Sequence, residues 1–123
     1  MRFLSIVKSA ENQGPAPQAL QDAMAKLTRD SLKDGSLVQS GGLGASSTGV
    51  RVRSAGGKLT VIDGPFTEAK EVLGGYWIIQ VKSRAEAIEW AKRAPMQDGD
   101  IIEVRQVQEI SDFPPDVQKA AGR

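Results

Sequence analysis

The stretch of sequence that decides the fold is Tyr76-Trp77-Ile78-Ile79-Gln80-Val81-Lys82-Ser83-Arg84-Ala85-Glu86. Its first six residues are mostly aromatic or β-branched, a composition typical of a buried central strand. Ser83 and Glu86 then form a capping box, in which the serine accepts a first-turn amide and the glutamate reaches back. Ala87, Ile88, Ala91 and Ala94 continue at helical spacing until Pro95. The stretch therefore predicts a central strand followed at once by an amphipathic helix.

The rest of the chain predicts a second strand-helix unit and a hairpin. We expect strands at Phe3–Lys8, Ser36–Ser40, Val50–Arg53, Leu59–Ile62 and Ile101–Val107, and a helix at Ala16–Lys33 that stops at Gly35. Gly56-Gly57 suits a hairpin turn, and Gly41-Gly42-Leu43-Gly44 suits a glycine-rich bend. This order predicts an α+β, ferredoxin-like sandwich with an inserted β-hairpin. Residues 1–110 should form this domain, and residues 111–123 a peripheral C-terminal tail.

An open sheet of this kind needs a cover on one of its faces. The helices of a ferredoxin-like sandwich lie on one side of the sheet, so the other side is left to solvent unless something packs on it. The strands are rich in apolar residues, which makes solvent exposure of that face unfavourable. We therefore expect a homodimer, in which a second copy covers the face.

Composition and charge exclude several classes of function. The chain has 123 residues, enough for one core, and its 16 basic and 15 acidic residues leave a net charge of +1, so nucleic acid is not an expected partner. The absence of cysteine and histidine removes disulfides, thiolate nucleophiles and the usual transition-metal ligands, and no cofactor is expected. No stretch resembles a signal peptide or a membrane span, so we expect a cytoplasmic protein with no membrane partner.

Asp63 is the first candidate functional residue, and it begins the turn Asp63-Gly64-Pro65-Phe66. Its carboxylate could act as a general base or ligand anchor, or it could accept the backbone amides of a tight turn. We favour the turn, which predicts that Asp63→Ala lowers stability clearly and Asp63→Asn only slightly. Glu68, Lys70 and Glu71 follow, and they form either the rim of a ligand pocket or a solvated charged loop.

Arg51, Arg53 and Tyr76 are the other candidates for ligand binding. The two arginines are two residues apart on one predicted strand and so share a face. They could bind a carboxylate or phosphate together, or they could be the charged face of an edge hairpin. Tyr76 could line a pocket, although an aromatic residue on a central strand usually belongs to a core or an interface. The glycines at 41–44 do not make a dinucleotide fingerprint, because Ser47 stands where its third glycine would be.

The segment Asp63–Trp77, with its Asp-Gly-Pro-Phe start and Gly-Gly-Tyr-Trp end, resembles the YCII-related family, in particular its DGPF branch. The resemblance extends to Val81-Lys82-Ser83, Val50–Arg53 and Glu103–Val107, and so covers nearly the whole chain apart from the tail. It implies a dimeric α/β barrel of ferredoxin-like subunits, a fold that the family shares with muconolactone isomerases. It implies no particular substrate.

The resemblance also bears on catalysis and on partners. Some YCII-related proteins carry a histidine in the first helix that faces an aspartate beyond the second strand, a pair proposed to be catalytic. The matching positions here are Met24 and Ser47, and the chain has no histidine, so that chemistry cannot operate. Members of the DGPF branch also occur joined to, or encoded beside, sigma-factor-like regulators. This association implies a binding module without chemistry as an alternative.

Two functional hypotheses follow from the sequence. The first is a dimeric small-molecule-binding protein with a cleft near Asp63 and the glycine-rich bend, of which an isomerase- or lyase-like enzyme is one form. The second is a non-catalytic module that binds a sigma-factor-like regulator. An apolar cleft with a few converging polar groups would favour the first, and a flat, filled surface would favour the second.

Overall fold

The computed structural model describes residues 1–10, 15–66 and 72–122. Along the chain, the main elements of these residues are β1 (Arg2–Ser9), α1 (Gln18–Asp34), β2 (Leu37–Gly42), β3 (Val50–Ala55), β4 (Lys58–Asp63), β5 (Val72–Gln80), α2 (Arg84–Lys92), β6 (Ile101–Gln106) and α3 (Pro115–Ala120). A 3₁₀ turn, Ser46–Thr48, precedes β3, and another, Ile110–Asp112, precedes α3.

Four strands form one antiparallel sheet in the order β2-β5-β1-β6. The inner strands β1 and β5 pair along their whole length, from Arg2 opposite Gln80 to Ser9 opposite Val72. The outer strand β2 follows α1 along the chain, and the outer strand β6 follows α2, as in the split β-α-β arrangement. The predicted ferredoxin-like α+β fold is therefore confirmed, and so is the central position of the strand that contains Tyr76 and Trp77.

One face of the sheet packs against α1 and α2 and forms the hydrophobic core. Its buried residues are Phe3, Leu27, Leu37, Trp77, Ile79, Ala87, Trp90 and Ala94. The rings of Trp77 and Trp90 meet edge to face with their centroids 5.4 Å apart, a geometry that aromatic pairs favour. Trp90 Nε1 also donates a hydrogen bond of 3.2 Å to Ser31 Oγ. Trp90 therefore joins α2 both to the sheet and to α1.

The helix ends follow the capping signals of the sequence, with one difference. Gly35 ends α1 in the left-handed conformation, with φ +82°, as predicted. Ser83 caps α2, because its Oγ accepts the Glu86 amide at 3.2 Å. The Glu86 carboxylate, however, accepts the amide of Lys82 at 2.9 Å, one residue before the cap position that the capping box predicts. The Glu86 carboxylate therefore bonds to the residue before the N-cap and not to the N-cap residue itself.

The other face of the sheet, here called the open face, carries side chains that alternate with the buried ones. Leu4, Ile6, Tyr76 and Ile78 project from it and are half-buried. Lys8 Nζ donates a hydrogen bond of 2.9 Å to Glu103 Oε1 between β1 and β6. This bond and the charge of Lys8 hold the pKa of the Glu103 carboxyl below its ordinary value. The open face therefore combines apolar residues with a charged pair at one side.

The inserted hairpin does not join the main sheet. Strands β3 and β4 form a two-stranded sheet of their own, and every residue of both strands is exposed. Gly56 and Gly57 make the predicted turn, with φ values of +56° and +79° that two-residue hairpin turns require. Val52 lies opposite Val61 on one face, and Arg53 lies opposite Thr60 on the other. One face of the hairpin is therefore mainly apolar, with Asp63 and Ser54 also on it, and the other is mainly polar.

Strands β2 and β5 extend into glycine pairs that the sequence analysis did not assign to strands. β2 continues through Gly42, and β5 begins at Val72. Gly41 and Gly42, expected to form a bend, instead pair with Tyr76 and Gly75. Glycine carries no side chain that marks a strand, so the pattern could not show that the ladder continues.

The C-terminal tail contains the short helix α3, which the sequence analysis did not predict. Residues of α3 other than Gln118 are exposed. None of the helices in the three described ranges is both long and apolar enough to cross a lipid bilayer.

Candidate functional site

A cavity of about 330 Å³ lies where β1 and β2 end and β5 begins, and α1 closes one side of it. Four glycines, Gly41, Gly42, Gly74 and Gly75, belong to its wall, so the cavity is bounded largely by main chain. The other lining residues are Val7, Ser9, Met24, Thr28, Ser40, Tyr76 and Trp77. We call this space the glycine cavity. Its volume is at the lower end of the range for small-molecule sites, about 300–1,000 Å³.

Three of these glycines are required by close packing between neighbouring strands. A Cβ on Gly41 would lie 2.9 Å from Tyr76 Cε1, and one on Gly75 would lie 3.0 Å from the Gly41 carbonyl oxygen. At Gly74 the nearest atom would be Ser9 Oγ, at 3.2 Å. These positions accept no larger residue without movement of a neighbour, so packing alone accounts for them.

Gly42 is different, because packing does not account for it. A Cβ built on Gly42 meets no atom within 4 Å, and its φ does not lie in the left-handed region that favours glycine. Glycine in a strand normally weakens the strand, because it loses more conformational freedom on folding and packs nothing. Gly42 is exposed and borders the cavity, and a side chain there would enter open space.

Hydroxyl groups supply most of the side-chain polarity of the glycine cavity. Thr28 Oγ1 donates to the Met24 carbonyl at 2.9 Å, so its position is fixed by α1. Tyr76 borders the cavity, but its side chain projects from the open face, where its hydroxyl accepts a hydrogen bond of 3.3 Å from Gln39 Nε2. Tyr76 is the one titratable residue among the described lining residues. The cavity thus offers hydroxyls, main-chain groups and a thioether rather than charged groups.

A second cavity, of about 420 Å³, lies at the base of the hairpin. Arg51 lines it, and its guanidinium lies 3.8 Å from the centroid of the Phe66 ring. This contact is a cation–π pair, which holds the arginine against its own chain. Leu43, Ser46, Thr48, Val72 and Leu73 are among the other lining residues. We call this space the hairpin-base cavity.

The structure places the candidate ligand-binding residues of the sequence analysis in different parts of the molecule. Arg51 lines the hairpin-base cavity, and Tyr76 lines the glycine cavity. Asp63 lines neither. Because Arg51 pairs with Ile62, Asp63 projects to the opposite face of the hairpin, away from Arg51. Glu68, Lys70 and Glu71 lie outside the described residues, although Phe66 and Val72, on either side of that segment, both line the hairpin-base cavity.

The predicted role of Asp63 in its turn has no structural support. The Asp63 side chain is exposed, and in the described part of the chain no backbone amide donates to its carboxylate. The turn is held instead by Gly64, whose amide donates to the Gly49 carbonyl at 2.9 Å, and by Phe66, whose amide donates to Ser46 Oγ at 3.3 Å. The Gly64–Pro65 peptide bond is cis. The Gly49 carbonyl and the Ser46 hydroxyl therefore provide the acceptors that the sequence analysis assigned to Asp63.

Sequence reasoning expected a cleft near the glycine-rich bend that contains Gly42, but it missed Thr28 and Ser9 as cavity residues. The available signal was the recurrence of a glycine pair, Gly41-Gly42 and Gly74-Gly75, next to two predicted strands. Paired strands that both carry glycine can approach closely and leave space beside them. The Thr28 and Ser9 hydroxyls carry no comparable signal, because only the packing of α1 on the sheet brings them together.

A wider groove, of about 750 Å³, lies at the opposite end of the sheet. It contains acidic and basic side chains, among them Asp34, Lys82, Glu89 and Arg93, together with Glu86, which already caps α2. The mixture of charges selects no class of ligand. Among the described residues, no three Asp or Glu side chains come close enough together to hold a metal ion.

The position of Met24 connects this geometry with the family resemblance. Met24, which the resemblance matches to the histidine of some YCII-related proteins, lines the glycine cavity, whereas Ser47 is exposed in the 3₁₀ turn and lines neither cavity. Comparison with protein-family profiles matches residues 1–111 to the YCII-related domain. Comparison with curated proteins gives no significant match. Since the profile covers nearly all of the 123 residues, the chain belongs to the YCII-related family.

Proposed function

We propose that the protein is a homodimer that binds a small molecule in the glycine cavity. The observation that carries the proposal is Gly42, a strand glycine with ordinary backbone geometry whose missing side chain leaves open space in that cavity. A residue that weakens its strand and is not required by packing is explained if a ligand approaches the main chain there.

The lining of the cavity supports a small ligand with a mostly uncharged body. Val7, Met24 and Trp77 offer apolar contact, and the methionine thioether adapts to different shapes. The hydroxyls of Ser9 and Thr28 offer directional hydrogen bonds. A mostly apolar pocket with a few converging polar groups is the usual form of a small-molecule site.

The dimer is supported by the surface area of the single chain. One copy exposes 8805 Å², whereas a compact monomer of its mass, 13.2 kDa, should expose about 6400 Å². The excess of about 2400 Å² is close to the amount that one subunit of an obligate homodimer buries, about 1000–2500 Å². The apolar residues of the open face, such as Ile6 and Ile78, are candidates for that contact.

An enzyme of isomerase or lyase type is the more specific form of this proposal. Tyr76, the one titratable residue among the described lining residues, directs its hydroxyl to the open face of the sheet and not into the cavity. Asp63, the acid or base candidate of the sequence, lines neither cavity, so a binding role is the form that the geometry favours.

Variants at Gly42 test the cavity with little effect on the fold. Gly42→Val should be as stable as the wild type or slightly more stable, because a Cβ there meets no atom within 4 Å and valine favours strands. The added side chain should fill the cavity and abolish ligand binding. A thermal-shift screen of small organic molecules measures both properties, since a ligand at a hundred times its Kd stabilises the native state by about 2.7 kcal/mol.

Gly42→Ala is the matched control, because it adds one carbon where valine adds three. Compounds that raise the Tm of the wild type should raise that of Gly42→Ala less, and that of Gly42→Val not at all. Compounds that stabilise all three proteins equally would place the ligand outside the glycine cavity and contradict the proposal.

A further inference from the structure

The hairpin β3–β4 carries an apolar face that its own chain does not cover. The face presents Val50, Val52, Leu59 and Val61, whose exposed fractions are 57%, 65%, 74% and 65%, and it also carries Asp63 opposite Val50 and Ser54 opposite Leu59. A two-stranded ribbon is marginally stable in water at best, and it needs further strands or a packing surface to persist. Four adjacent exposed apolar residues on such a ribbon indicate that this face is covered in the functional molecule.

The cover cannot come from the described part of the same chain as it is arranged. Arg51, on the opposite face of the hairpin, lies over Phe66 and lines the hairpin-base cavity. The polar face of the hairpin is thus the one that contacts its own chain, and the apolar face is directed away from that contact. The described residues of the chain therefore leave this face open to another molecule.

We propose that the apolar face of each hairpin packs against the second copy in the homodimer, so that the hairpin is a dimerisation arm. This inference rests on the dimer of the proposed function and adds a contact to it. The unburied area supports a second copy as the occupant, because the excess of about 2400 Å² is near the upper end of what a subunit buries in an obligate dimer. A hairpin that extends from the sheet adds interface area to the area that the open face alone could bury.

Two further apolar residues are exposed between the main sheet and the hairpin. Leu43 and Leu73, which are 47% and 50% exposed, lie at the end of the main sheet and line the hairpin-base cavity together with Phe66. A two-fold dimer would let each copy give one arm and receive one, which closes the assembly without leaving a free apolar face.

The test replaces the two valines that face each other on the apolar side. The double variant Val52→Thr/Val61→Thr keeps β-branched side chains and strand propensity, but it places four hydroxyls per dimer in the proposed contact. We expect the dimer Kd, measured by sedimentation at a series of dilutions, to rise at least about a hundredfold. If the apolar face of the hairpin were exposed to solvent in the dimer, replacing the two valines would leave the dimer Kd unchanged.

Thr60→Val is the matched control. It replaces a threonine with a valine next to Val61, but on the polar face of the hairpin. The dimer Kd of this variant should stay within about twofold of the wild-type value. Hydrogen exchange of the hairpin amides is the second measurement. The amides should be protected in the wild-type dimer and should lose protection as dilution separates the copies, because the free ribbon is marginal.

The outcomes separate this inference from the proposed dimer. A wild-type dimer whose Kd is unchanged in Val52→Thr/Val61→Thr overturns the arm and leaves the dimer intact. A chain that stays monomeric at every concentration overturns both. A dimer weakened by the double variant but not by Thr60→Val supports both.

Discussion

Replacing Trp90 with alanine is expected to lower the free energy of unfolding by about 3–5 kcal/mol. Trp90 is 1% exposed, stacks edge to face on Trp77 and bonds to Ser31, so its removal leaves a cavity where both helices meet the sheet. Ordinary domains are stable by about 5–15 kcal/mol, so the loss is a large fraction of the total. Urea unfolding followed by circular dichroism at one fixed protein concentration measures it.

Glu89→Ala is the control for this prediction on the same helix. Glu89 is exposed and makes only a surface pair of 3.1 Å with Lys92, so its replacement should change the free energy of unfolding by no more than about 0.5 kcal/mol. If Trp90→Ala were no more costly than Glu89→Ala, the core would not be organised around Trp90.

A double-mutant cycle isolates the hydrogen bond between Trp90 and Ser31. Ser31→Ala in the wild type leaves a buried indole N–H without a partner and should cost about 1–3 kcal/mol. The same change should cost much less in a Trp90→Phe background, because phenylalanine has no N–H to leave unpaired. Equal costs in the two backgrounds would show that the bond does not contribute to stability.

The order of elements could be predicted from sequence because side chains mark them strongly. The aromatic and β-branched run that starts at Tyr76 and the cap at Ser83 report local preferences, and the structure follows them. The lengths of β2 and β5 could not be predicted in the same way. Gly41, Gly42, Gly74 and Gly75 extend both strands, and only the partner strand shows that they belong to a ladder.

The separation of the hairpin from the main sheet was also beyond sequence reasoning. Alternation at Val50–Arg53 predicts a strand with one apolar face but does not say what covers that face. The same limit applies to the candidate site. Arg51 and Asp63 are both polar residues of one hairpin, yet the register sends their side chains to opposite faces. Asp63 lies one residue beyond Ile62, the cross-strand partner of Arg51, and this offset of one residue decides which of the two side chains lines a cavity.

The last prediction concerns the turn at the base of the hairpin, where Gly64→Ala should open the hairpin. A Cβ on Gly64 would overlap the Ser46 carbonyl oxygen and lie 2.6 Å from its carbon, and both atoms are backbone. The shift needed to relieve this overlap would break the bond from the Gly64 amide to the Gly49 carbonyl. Overpacking and a lost hydrogen bond together should cost about 3 kcal/mol, and amides of β3 and β4 should exchange about a hundredfold faster.

Asp63→Ala is the neighbouring control, and it decides between two explanations of the turn. Because the Asp63 carboxylate is exposed and accepts no amide within the described residues, its loss should change exchange of the hairpin amides by less than about threefold. Gly42→Ala, which adds the same carbon in open space, should also leave the hairpin unchanged. If Asp63→Ala opened the hairpin as much as Gly64→Ala does, the aspartate would hold the turn after all, as the Asp-Gly-Pro pattern predicts. Fast exchange in Gly64→Ala alone would show that the turn depends on close backbone packing against residues 46–49, where no side chain larger than hydrogen fits.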